Sequence, residues 1–124
     1  MSVWEQNLDI NIIQGDSEIA QDVQVKLTQG HTPGQQIVMV GRHEKIVYCA
    51  DLMPTASHIH LPYIMAYDHH PLVTLEDKKE ILTLALKKNW VLVFEHDPYI
   101  AACRLKESQG RIVPGEVVCP NCPD

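Results

Sequence analysis

Alternation of apolar and polar positions is the first signal along the chain. Val23, Val25 and Leu27 are apolar where Gln24 and Lys26 are polar, the period-two pattern of a half-buried strand. Leu8 to Ile13 is rich in β-branched and aliphatic residues, and Gln14-Gly15-Asp16 supplies turn chemistry between the two stretches. They read as neighbouring antiparallel strands of a meander. Gln36 to Val40 and Lys45 to Cys49 flank Gly41-Arg42-His43-Glu44 and read as a hairpin. Its Ile37-Val38-Met39-Val40 run is apolar on both faces and requires cover on both sides.

Beyond Asp51 the period changes. Residues 54–68 contain Ile59, Leu61, Ile64 and Met65 but are broken by Pro54 and Pro62, which predicts a loop with at most a short helix. Thr74 to Asn89 is predicted helical. Thr74 and Asp77 have the spacing of a capping box, Glu76 and Asp77 sit near the positive helix end, and Lys87 and Lys88 near the negative end. Leu75, Ile81, Leu82, Leu84, Ala85 and Leu86 include an apolar stripe that must pack on another element. Lys78, Lys79, Lys87 and Lys88, set among acids, read as a solvated face. Trp90 to Phe94 reads as a buried strand, Tyr99 to Leu105 as its partner, and Arg111 to Val118 as a last strand interrupted by Pro114. The class is therefore α+β: a mainly antiparallel sheet with one long helix on its outer face.

Size and charge narrow the functional classes. A chain of 124 residues is one domain of ordinary size, assigned here to residues 1–118 with a tail at 119–124. The net charge of −6 gives no reason to expect binding to phosphate backbones, so nucleic acid is not an expected partner. Met1-Ser2-Val3-Trp4-Glu5 has neither a basic leader nor an apolar core, and no run approaches the ~20 apolar residues of a membrane span. The expectation is a cytoplasmic protein whose four cysteines are reduced.

Three predicted strands end at a residue able to bind metal: Leu27-Thr28-Gln29-Gly30-His31, Val47-Tyr48-Cys49-Ala50-Asp51 and Leu92-Val93-Phe94-Glu95-His96. Strand ends on one rim of a sheet can converge, and an open His/His/Asp set completed by water is a catalytic and not a closed structural zinc arrangement. Gly30, Pro33 and Gly34 form a sharp turn that would hold His31 at that rim. Taken singly, each residue has an ordinary reading, a hydrogen-bonded loop histidine or, for Asp51, a turn cap. His43 falls in a hairpin turn and His58 and His60 in a Pro-flanked loop, where solvent exposure is the simpler reading. Cys49 and Cys103 fall in strands and read as small buried residues. Cys119-Pro120-Asn121-Cys122 has knuckle spacing, but a structural zinc site needs four ligands and this is the one such pair, so a tail is preferred over a site shared across a dimer.

Order and context turn the three residues into a set. Gly30-His31-Thr32-Pro33-Gly34, Cys49-Ala50-Asp51-Leu52 and Phe94-Glu95-His96-Asp97-Pro98 resemble, in order and spacing, the last three ligand motifs of the metallo-β-lactamase superfamily. The likeness includes the strand before each motif and the helix between the second and third. It implies the C-terminal half of an αβ/βα sandwich whose two sheets pack face to face. It also implies that His31 binds a first metal, that Asp51 bridges two, and that His96 binds the second. The metal implied is zinc, though a mixed histidine and carboxylate site also tolerates iron or manganese.

The superfamily's first motif, HxHxDH, is absent. His58-Ile59-His60 continues as Leu61-Pro62, and Asp68-His69-His70 has the wrong order. A first metal then keeps His31 and Asp51 and a second Asp51 and His96, unless all three residues share one ion with water. The resemblance thus implies part of a metal-dependent hydrolase of small ester-type substrates, incomplete for catalysis by itself. A non-catalytic binding or assembly module that retains the half-fold is the alternative. In either case the sheet face turned from the helix requires cover, by a second copy in a homodimer, which is preferred, by a separate polypeptide carrying the N-terminal half, or by the rest of a longer parent chain.

Overall fold

A computed structural model describes residues 10–118. Leu8, Asp9 and the Cys119/Cys122 tail lie outside the described residues. Among the described residues, seven strands form one sheet in chain order: β1 (Ser17–Ala20), β2 (Val23–Leu27), β3 (Gln36–Val40), β4 (Ile46–Tyr48), β5 (Val91–Val93), β6 (Ala102–Ser108) and β7 (Arg111–Val117). Every neighbouring pair is antiparallel except β4 and β5, which run parallel. The 42-residue excursion between those two carries 3₁₀ turns at Ala50–Leu52 and Ala56–Ile59 and the helix α1 (Pro71–Lys88). A parallel pair cannot be joined by a tight turn, so this crossover is where a helix belongs. The architecture is α+β, as the alternation patterns imply.

Register explains the layering. Met39 pairs with Val47, Val47 with Leu92, and Leu92 with Cys103. With Ile37, this face packs Val47, Leu92 and Cys103 against Ile81, Leu82 and Ala85 of α1 in one core. The opposite face pairs Val25 with Val38, Val38 with Tyr48, Val40 with Ile46, and Tyr48 with Val93. Among the described residues no helix covers it, and Val40, Ile46 and Tyr48 are 44%, 51% and 37% exposed. Cys103, in β6, and Cys49, one residue past β4, are buried free thiols.

Several local expectations are corrected. Among the described residues the first strand is Ser17–Ala20, and residues 10–13 of the stretch expected to form a strand are irregular. The hairpin turns instead at Gln21-Asp22, where Asp22 takes φ 58°, a left-handed conformation that aspartate tolerates. Asp16 then closes the open end by accepting the Leu27 N–H at 2.7 Å. The helix begins at Pro71, in a first-turn position that suits proline. Thr74 is therefore not its cap; it is buried, and its hydroxyl leaves the helix for Asp68, 2.7 Å away. Asn89, at φ 55°, ends the helix in a left-handed cap. Lys78 is not on a solvated face but fully buried, its ammonium donating to the carbonyls of His60, Leu61 and Tyr63 at 3.1, 3.0 and 2.6 Å. Burial lowers its pKa to about 8, against the opposing influence of Asp68. The partner of β5 starts at Ala102 and not at Tyr99, and β7 runs unbroken through Pro114 because it is an edge strand.

Candidate metal centre

Strand direction brings the three predicted residues together. β2 and β4 are both antiparallel to β3, and β5 is parallel to β4, so the C-terminal ends of β2, β4 and β5 share one rim. His31 follows β2, Asp51 lies in the 3₁₀ turn after β4, and His96 follows β5. Asp51 Oδ2 lies 3.7 Å from His31 Nε2, and Asp51 Oδ1 lies 3.4 Å from His96 Nε2. The carboxylate is thus divided, one oxygen to each imidazole.

Each residue is aimed by its own local device. The His31 loop closes through Thr28 N–H to Gln35 C=O at 2.8 Å, and is fastened to the helix entry by His70 N–H to Gly30 C=O at 2.8 Å. A Cβ at Gly30 would meet Thr74 Oγ1 at 2.0 Å and Thr74 N at 2.3 Å, so glycine alone allows this approach. Ala50, with φ 45°, puts a left-handed kink directly before Asp51. Such backbone costs on the order of 1–3 kcal/mol and is held by its surroundings, here by Cys49 N–H donating to Val93 C=O at 3.0 Å. His96 N–H donates to Pro54 C=O at 3.0 Å, which ties the second and third motifs. Asp97 accepts the N–H groups of Ala56, Tyr99 and Ile100 at 2.8 to 2.9 Å. Burial works to raise the Asp97 pKa, but those three donors outweigh it and lower it.

One site residue was not legible in the sequence. Asp68 Oδ1 lies 2.9 Å from His31 Nδ1, and its side chain is only 1% exposed. It belongs to the Asp68-His69-His70 run, whose order differs from HxHxDH. Its partnership with His31 spans 37 positions, and no local pattern announces it. His69 and His70 themselves are exposed, and His58 is held by Thr55 Oγ1 at 2.8 Å, its pKa lowered chiefly by burial. Tyr48, on the open sheet face, donates its phenol to Glu95 Oε2. That bond leads the causes that raise its pKa to about 12, with smaller contributions from burial, the charge of Glu95 and that of Asp51.

The donor set fits a metal in pairs. Two corners of a tetrahedral shell with bonds of ~2.0–2.1 Å are separated by roughly 3.3 Å, close to the 3.4 and 3.7 Å found here. Among the described residues, no three histidine, cysteine, aspartate or glutamate side chains form one metal-holding group. His96 is 55% exposed and Asp51 36%, so the pairs open outward.

No family model and no curated protein matches the sequence. Solved structures do match. A protein described as a probable metal-dependent hydrolase from Staphylococcus aureus shares 19% identity over 90% of this chain and 40% of its own, with a TM-score of 0.76. AidC, a dizinc quorum-quenching lactonase in complex with a homoserine product, shares 18% over 85% of this chain and 37% of its own, with a TM-score of 0.69. AbOPH, a hydrolase of the β-lactamase superfamily, shares 19% over 86% of this chain and 37% of its own, with a TM-score of 0.68. The chain thus spans about two-fifths of the length of the structures it resembles. Among the described residues, no helix is long and apolar enough to cross a membrane.

Proposed function

From a chain that carries part of the metallo-β-lactamase fold, we propose the C-terminal part of a metal-dependent hydrolase in which His31, Asp51 and His96 are metal ligands and zinc is the metal. The observation that carries this reading is the divided carboxylate of Asp51, with Oδ2 toward His31 and Oδ1 toward His96. That is the disposition required to bridge two ions. Bound metal would supply the positive charge that activates water and polarises the carbonyl of an ester, lactone or thioester. His31 and His96 would present Nε2 as neutral donors, and Asp51 would bring negative charge to both positions. A lactone is the preferred substrate class within this reading, because AidC is a lactonase.

Two donors per ion leave each shell short, so the chain alone is inactive or nearly so in this reading. The missing donors would arrive with whatever covers the open sheet face. Tyr48 stands on that face and bonds Glu95, the residue before His96, and Asp51 is close enough to influence its phenol. A second sheet laid there would abut the three ligands. The covering body is a second copy of the chain, a separate polypeptide carrying the first half of the fold, or the rest of a longer parent chain. The alternative of a non-catalytic module draws on the same shortage of donors.

Zinc titration of the purified chain, with metal content and lactone hydrolysis measured in parallel, separates these readings. The expected result is bound zinc that is lost in His31→Ala, with little turnover. Failure of the unsubstituted chain to take up zinc, or uptake unchanged by His31→Ala, would overturn the ligand assignment and leave the non-catalytic module.

A further inference from the structure

We propose that Asp68 is a positioning residue for His31: it fixes the imidazole in the tautomer whose Nδ1 carries the proton, leaving the Nε2 lone pair directed at the Asp51 rim, and Thr74 holds Asp68 in place. The consequence for metal binding rests on the ligand reading above, but the tautomer assignment does not.

The argument starts from what each buried group can offer. Asp68 is almost wholly enclosed, and its two oxygens have different partners: Oδ1 meets His31 Nδ1 at 2.9 Å and Oδ2 meets Thr74 Oγ1 at 2.7 Å. An ionised carboxylate can only accept. The Thr74 hydroxyl must then point its hydrogen at Oδ2, and His31 must carry a hydrogen on Nδ1. The alternative acceptor for Thr74 is the His70 carbonyl within its own helix, and it is much longer at 3.5 Å. The buried Lys78 ammonium supplies positive charge nearby, since Asp68 counteracts the lowering of its pKa. With Nδ1 committed, the nitrogen left to the outside is Nε2, the atom that faces Asp51 Oδ2.

The main chain adds to the constraint. His69 N–H donates to His31 C=O at 3.1 Å and His70 N–H to Gly30 C=O at 2.8 Å, so the segment that bears Asp68 is stitched to the segment that bears His31. The orientation of the imidazole is thereby set by the segment that leads into α1. Outer partners of this kind fix ring orientation and strengthen the ligand nitrogen, and their loss typically weakens metal affinity by roughly 10- to 100-fold.

The test uses the full chain and two readouts. Long-range ¹H–¹⁵N correlation spectra of His31, taken without metal at a pH where the ring is neutral, report the tautomer directly. The proposal expects the Nδ1–H form in the unsubstituted chain and a mixture or the Nε2–H form in Asp68→Ala, with circular dichroism confirming the fold. An Nε2–H ring in the unsubstituted chain overturns it. Zinc affinity is expected to fall roughly 10- to 100-fold in Asp68→Ala, and by a smaller factor in Thr74→Val, which keeps the side-chain shape and removes only the hydroxyl. Unchanged affinity in both variants overturns the positioning role. If Asp68→Ala does not fold, Thr74→Val decides by the same two measurements. A chain that binds no zinc but keeps the Nδ1–H ring, lost on substitution, refutes the ligand reading while sustaining the orientation.

Discussion

Gly30→Ala is the smallest change that tests whether the helix entry and the His31 loop form one rigid unit. The added methyl would lie 2.0 Å from Thr74 Oγ1, 2.3 Å from Thr74 N and 2.6 Å from Thr74 Cα. A hydroxyl can rotate away, but a main-chain nitrogen in the first turn of a helix cannot. The gap to that nitrogen must open from 2.3 Å to an ordinary contact of 3.4 Å, and the bonds that cross it open as well. His70 N–H to Gly30 C=O, now 2.8 Å, is the first to be lost, followed by His69 N–H to His31 C=O at 3.1 Å. Overpacking of about 1–3 kcal/mol and two main-chain bonds of about 1 kcal/mol each put the cost at no less than about 3 kcal/mol. For a domain of this size that lowers Tm by about 10 °C.

Thermal unfolding followed by circular dichroism measures the effect. The double substitution Gly30→Ala with Thr74→Ala sharpens it, because it removes the hydroxyl but leaves the nitrogen in place, so little stability should return. A Tm within about 2 °C of the unsubstituted protein, or full recovery in the double variant, would refute the claim that main chain meets main chain at this point.

Three further outcomes are expected. Lys78→Met leaves the carbonyls of His60, Leu61 and Tyr63 without their donor, and denaturant titration should show a loss of about 3 kcal/mol, partly offset by relief from burying a charge. Because the native pKa of Lys78 is lowered from 10.5 to about 8, the folded chain releases its proton first, so the stability difference between the unsubstituted protein and Lys78→Met should widen as pH rises through that interval; a constant difference would contradict it. Asp97→Ala removes the acceptor for three N–H groups and should cost about 1–2 kcal/mol near neutral pH; because the folded pKa is lowered, this contribution holds above about pH 4 and should vanish as pH falls below it, as thermal melts across that range can check. Sedimentation velocity at micromolar concentration should show a dimer if the face bearing Val40, Ile46 and Tyr48 is covered by a second copy, and a lone monomer would exclude that covering.

How much of the fold was legible depends on whether each signal was local. β2 and β3 begin and end where the alternation and apolar run of Val23–Leu27 and Gln36–Val40 do, since a strand's period is written within the strand. The helix start was misplaced because Thr74 and Asp77 have capping spacing, whereas the chain uses Pro71 at the first turn and spends the Thr74 hydroxyl on a buried carboxylate. Thr74 and Lys78, one turn apart, both point inward with Ile81, Leu82 and Ala85. The buried stripe therefore contains two polar residues that a hydropathy pattern assigns to solvent. Each is tolerated because its partners, Asp68 for one and three loop carbonyls for the other, lie in the preceding crossover segment.

The candidate centre divides along the same line. His31, Asp51 and His96 each follow a strand, and turn chemistry marks the first of them, so their approach to one rim can be read from strand order alone. What aims them cannot. His31 depends on Asp68, 37 positions away, and His96 on the carbonyl of Pro54. Asp51 depends on a left-handed Ala50, which nothing in the residue's identity foretells. The division of the Asp51 carboxylate is a consequence of that aim: with His31 fixed from behind by a buried acid and His96 by its main chain, one oxygen falls to each ring. In the proposed metal site these constraints give two donor pairs, His31 with Asp51 and Asp51 with His96. Within that proposal, further donors would approach from the exposed side of the rim, where the His96 side chain is 55% exposed.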